Sequence, residues 1–66
     1  MKNALRLARA QNNITQQELA DKIGVSRQTI NSIETGRYIP STVLALKLAK
    51  ILDSQVEALF QIEEAD

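Results

Sequence analysis

The chain has 66 residues, 44% of them hydrophobic and 24% charged, which suits one ordered domain, 1–66, and excludes a disordered tail. Eight basic and eight acidic side chains cancel, which excludes a strongly basic, indiscriminate binder of polyanions. Neither Cys nor His is present, so disulfides and thiolate or imidazole metal sites are excluded, and no metal and no cofactor is expected.

An all-α fold of five helices is expected, with helix signals recurring about every twelve residues and turn signals between them. The first helix, near Asn3 to Gln11, turns Leu5, Ala8 and Leu7 inward and stops in the polar pair Asn12 and Asn13. The second opens at Thr15, whose spacing to Glu18 makes a capping box, and its inner face is Leu19, Ala20 and Ile23. Gly24 ends it, because the left-handed backbone of a sharp turn costs glycine almost nothing and other residues of order 1 kcal/mol.

Val25 then plugs the core and Ser26 caps a third helix from Arg27 to about Thr35, with Ile30 and Ile33 inward, before Gly36 stops it. The loop Arg37-Tyr38-Ile39-Pro40 leads to Ser41, a cap for a fourth helix through about Leu52. There Leu44, Ala45, Leu48, Ala49, Ile51 and Leu52 share one broad face. Lys47 and Lys50 lie on the far face with Val43 and Leu46, two apolar residues that need a partner, either the last helix or another subunit. Ser54 and Glu57 have the spacing of a second capping box, so a short fifth helix near Gln55 to Leu59 follows. The tail Phe60 to Glu63 alternates apolar with polar, which fits a short C-terminal strand.

Function is concentrated between Thr15 and Gly36. Two short helices joined through a Gly turn are the core of a helix-turn-helix, whose second helix enters the major groove of DNA. The outer face of the third helix holds Arg27, Gln28, Thr29, Asn31 and Ser32. Arg27 can donate two bonds to guanine O6 and N7, and Gln28 can pair with adenine N6 and N7. Thr29 or Ser32 can touch a thymine methyl or a further base edge. Gln16, at the start of the second helix, can offer its side-chain amide and free main-chain amides to a phosphate. Tyr38 either covers the core edge or donates its hydroxyl to a phosphate. Lys22, Lys47 and Lys50 read as solvated helix charges, and capping and pairing account for Glu18 and Glu34.

The stretch Gln-x-Glu-Leu-Ala-x-x-x-Gly-Val-Ser-x-x-x-Ile-x-x-Ile-Glu-x-Gly, from Gln16 to Gly36, resembles the lambda-repressor-like, Cro-type helix-turn-helix proteins, also called the xenobiotic-response-element family. The resemblance covers nearly the whole chain and is strongest to minimal stand-alone members that are homodimers without an effector domain. It implies a compact five-helix lambda-repressor-like domain, in which Gln16 clamps a phosphate and Ser26, Arg27, Gln28 and Ser32 face the bases or nearby backbone. It further implies that Thr35 and Arg37 touch the DNA backbone, and that Arg9 pairs with Glu34.

Charge is unevenly spread: residues 1–40 carry six basic and three acidic side chains, and residues 41–66 carry two basic and five acidic ones. One end of the chain suits a polyanion and the other would be repelled by it. The expectation is a sequence-specific regulator of transcription, a repressor, binding a palindromic double-stranded DNA operator as a homodimer. The dimer is expected to use Val43, Leu46, Val56, Leu59, Phe60 and Ile62, the apolar residues without an obvious place in a monomer core. An enzyme is poorly supported, because no Cys or His supplies a nucleophile or its base. A protein-interaction module, such as an antitoxin, is the rival reading. No apolar run approaches the ~20 residues of a bilayer span and no signal peptide opens the chain, so no membrane association is expected and the default location is the cytoplasm. No small-molecule ligand is evident.

Overall fold

In the computed structural model, which describes residues 1–66, five helices are framed by two short strands that bring the chain ends together. The order is β1 (Lys2–Asn3), α1 (Leu5–Gln11), α2 (Gln16–Ile23), α3 (Arg27–Glu34), α4 (Thr42–Ile51), α5 (Val56–Leu59) and β2 (Phe60–Gln61). The strands pair antiparallel, Lys2 opposite Gln61 and Asn3 opposite Phe60.

The helices α2 and α3, which form the helix-turn-helix wedge, and α4 each start where a hydroxyl can accept an orphan amide. Thr15 accepts from the Glu18 amide at 3.0 Å while the Glu18 carboxylate accepts from the Thr15 amide at 2.9 Å, so the expected capping box is complete. The Thr15 main-chain amide first, and then its hydroxyl, hold the Glu18 carboxyl below its ordinary range. Ser26 accepts from the Thr29 amide at 3.1 Å and Ser41 from the Leu44 amide at 3.2 Å. Gly24 turns the chain with φ +87°, and its amide and that of Val25 both reach the Ala20 carbonyl, at 2.8 and 3.0 Å. Asn13 and Asp53 take the same left-handed conformation after α1 and α4, at φ 53° and 51°. Asn and Asp tolerate it better than other side chains.

One apolar core of fourteen residues lies between the helices, with Leu5, Leu19, Ile30, Ile33, Leu48 and Leu59 at its centre. α2 packs chiefly on α3, and α4 supports α2 and α5 from behind. No helix is long and apolar enough to cross a membrane.

Several expected details are corrected. The first helix starts at Leu5 and not near Asn3, because Asn3 is taken up with Lys2 in the strand paired to β2 and Ala4 is the N-cap. Leu7 is 60% exposed, since a residue two positions after Leu5 faces nearly the opposite side of a helix. Ile51 is 39% exposed; at 3.6 residues per turn it falls on the edge of the stripe formed by Leu44, Ala45, Leu48, Ala49 and Leu52. Val25 is half-buried against the core, not fully enclosed. Ser54 does not cap α5, whose N-cap is Gln55 with no side-chain bond; the helix starts one residue too late for the Ser54 hydroxyl. Leu59 and Phe60, expected to be free for a partner, belong to the monomer core, because pairing of β2 with β1 folds them onto it.

Candidate nucleic-acid interface

The two wedge helices are tied together at the end where α3 meets α1. Glu34, whose side chain is fully shielded from solvent, accepts from Arg9 Nε at 2.7 Å and from Arg6 Nε at 3.3 Å. Arg9 also donates through Nη1 to the Ile14 carbonyl at 3.0 Å. The implied Arg9–Glu34 pair is therefore present, with Arg6 added on its solvent side. Gln16 completes the cluster: its Nε2 donates to Glu34 Oε1 at 3.1 Å and to Asn31 Oδ1 at 3.2 Å. Burial pushes the Glu34 carboxyl up, and the bonds from Arg9, Gln16 and Arg6 outweigh that push and hold it below the ordinary carboxylate range.

The outer face of α3 is different. The ion pairs of the molecule are those of Glu34 and those of the N-terminal ammonium with Glu63 and Asp66, so Arg27 and Arg37 carry unpaired charges. Arg27, Gln28, Asn31 and Arg37 are exposed, and Ser32 and Thr29 are half-buried. Gln28 forms a ridge between two shallow clefts. One is lined by Gln17, Arg27, Gln28 and Asn31, with no apolar residue. The other lies between Gln28, Thr29, Ser32 and Tyr38, floored by Val25 and Leu44.

Not every expected site residue is equally free. Ser26 Oγ lies 2.9 Å from Thr29 Oγ1 while it caps the helix, so both hydroxyls are held at the N-terminus of α3. The Thr35 hydroxyl donates back to the Asn31 and Ser32 carbonyls at 3.0 and 3.3 Å. Tyr38 is 45% exposed at the rim of the second cleft. At the start of α2 the main-chain amides of Gln16 and Gln17 make no internal bond, whereas the Gln16 side-chain nitrogen makes two.

Sequence reasoning passed over two side chains that hold this frame. Asn3 Nδ2 donates to the Ile33 carbonyl at 3.0 Å, and Asn12 Nδ2 bridges the Ala8 and Leu52 carbonyls at 2.8 and 3.2 Å. Their long-range partners leave no local pattern. The nearest signal was that asparagine, like serine, seeks main-chain partners at helix ends.

Two short helices locked through a glycine turn, with a polar and largely unpartnered outer face on the second, define a helix-turn-helix of the lambda-repressor-like class. Comparison with known proteins agrees: the Helix-turn-helix family model matches residues 5–59, and the chain belongs to that family, a class of non-enzymatic DNA-binding transcriptional regulators. The chain is 52% identical over 64 residues to an uncharacterized HTH-type transcriptional regulator of Methanocaldococcus jannaschii, covering 97% of both. It is 42% identical over 64 residues, again 97% of each, to YgzD of Bacillus subtilis, also an uncharacterized HTH-type transcriptional regulator. Among solved structures it is similar to the restriction-modification controller protein C.AhdI from Aeromonas hydrophila, with TM-score 0.77, 36% identity and 85% of each chain covered.

Proposed function

We propose that this regulator is a sequence-specific repressor that binds a palindromic operator in double-stranded DNA as a homodimer. The observation that carries the reading is the pair Arg27 and Gln28, exposed in the first turn of α3 and anchored to a rigid wedge. The first turn of this helix reaches deepest into the major groove, where Arg reads guanine and Gln reads adenine through paired bonds. Thr29 and Ser32 extend the reading surface toward a thymine methyl or a further base edge.

Around it, Ser26, Thr35, Arg37, Tyr38 and the start of α2 at Gln16 meet the phosphates. Arg37 and Tyr38 follow the end of α3, and two main-chain amides are free at Gln16 and Gln17, a suitable site for an anionic oxygen. The homodimer rests on the exposed apolar residues Val43, Leu46 and Ile62, at 62%, 56% and 84% exposure, together with half-buried Val56. A two-fold pair of wedges sets the recognition helices about 34 Å apart, one helical turn of DNA. Repression follows from occlusion of polymerase, the output that a DNA-binding wedge supplies by itself.

Selection of bound duplexes from a random library, repeated at two salt concentrations, tests the proposal. The expected result is a palindromic consensus with half-sites one turn apart, retained at the higher salt. Weak binding that enriches no sequence and vanishes as salt rises would overturn it.

A further inference from the structure

The polarity of the Gln16 cluster is forced from one end. An ionised Glu34 carboxylate has acceptors only, and the arginines beside it keep it ionised, so the Gln16 amide must turn its nitrogen toward it. That nitrogen has two hydrogens. One goes to Glu34 and the other to Asn31, 3.1 and 3.2 Å away, so Asn31 must present its oxygen inward. Its Nδ2 is thereby turned outward with two hydrogens and no partner in the molecule, on an exposed side chain lining the wholly polar cleft with Gln17, Arg27 and Gln28.

We infer that Asn31 is a further specificity-determining residue, which donates to an acceptor oxygen or nitrogen of bound DNA, and that Glu34 sets its orientation through Gln16. The inference rests on the DNA-binding reading above. Asn31 lies four residues after Arg27 and three after Gln28, so all three share one strip of α3. The Gln16 side chain has no donor left for a phosphate, and the free side-chain donors of the cluster are those of Asn31. Gln16 is then a positioning residue, with its main-chain amide left for the DNA backbone.

The test compares the wild-type chain with Asn31→Ala, Gln16→Met and the double variant on the operator selected by the wild-type protein and on its single-base variants. Asn31 contributes nothing to the core, so Asn31→Ala is expected to fold as the wild type, which a thermal melt verifies. It should weaken binding by about 5- to 100-fold. Lost preference at one operator position is expected from a base-edge acceptor; an equal loss on every sequence would make the acceptor a phosphate and overturn the specificity role. Gln16→Met should reproduce the pattern seen with Asn31→Ala, and the double variant should bind no worse than the weaker single variant. Losses that multiply in the double variant would overturn the relay from Glu34. Unchanged affinity and preference in Asn31→Ala, within twofold, would overturn the inference while leaving the DNA-binding reading standing. A wild-type chain that enriches no duplex would overturn both.

Discussion

Glu34 and Arg27 sit on the same helix and show how differently two charged residues are used. The Glu34 side chain is withdrawn from water and holds Arg9, Arg6 and Gln16 around it, whereas Arg27 has no partner. Removing the carboxylate leaves Arg9 partly shielded and Arg6 in water, so Glu34→Ala should cost about 2 kcal/mol, less than the roughly 3 to 5 of a fully buried pair. Because the folded carboxyl lies below its unfolded value of ~4.3, the unfolded chain binds the proton more readily. The pair therefore stabilises fully above that value, and its contribution is lost as pH falls through the folded one. Melting midpoints from pH 6 downward should show this acid-side decline, and Glu34→Gln should flatten it. Arg27→Ala is the opposite case: no stability change is expected. Affinity should fall by about 1 to 3 kcal/mol per contacted base, with relaxed preference at one operator position in a binding titration. Equal weakening on all sequences would make Arg27 a phosphate contact instead.

At the scale of elements, three serines precede helices and only two cap them. Ser41→Ala should lower stability by about 1 kcal/mol in denaturant melts, because the Leu44 amide loses its acceptor. Ser54→Ala should stay within about 0.5 kcal/mol of wild type, since α5 begins after Gln55. Gly24→Ala meets no atom within 4 Å but keeps φ +87°, so its cost of about 1 kcal/mol is backbone strain alone. These contrasts also explain what was legible in the sequence. Caps, glycine turns and the 3.6-residue spacing of Leu19, Ala20, Ile23, Ile30 and Ile33 are local, and they placed α2 and α3 within a residue of their observed bounds. β1 was illegible because two residues carry no period, and its partner lies nearly sixty residues away. Without it, Leu59 and Phe60 looked like surface. The exposed polar strip of α3 was legible by subtraction from the core. The inward commitment of Gln16 was not, because it depends on Asn31 and Glu34 arriving from a different helix.

Over the whole molecule, the apolar surface that the fold leaves uncovered is not scattered. Leu46 lines a groove with Met1, Ile39, Pro40, Val56 and Phe60, and Val43 is exposed one turn before it on α4. A monomer of this size rarely keeps large apolar side chains together in water unless another surface covers them. A second copy offers the same patch, and two-fold pairing of one patch with itself needs no additional partner. Net charge is zero, so long-range repulsion between copies is weak. Leu46→Glu places a charge where the proposed dimer needs an apolar contact and should not disturb the core, because Leu46 is 56% exposed. Sedimentation at micromolar concentration should show the wild type as a dimer, alone or on DNA, and the variant as a monomer with an unchanged melting midpoint. On the palindromic operator the variant should lose at least tenfold in affinity, while on an isolated half-site the two proteins should bind alike. A wild-type chain that sediments only as a monomer, with and without DNA, would remove the dimer. It would also mean that each wedge reads its half-site independently.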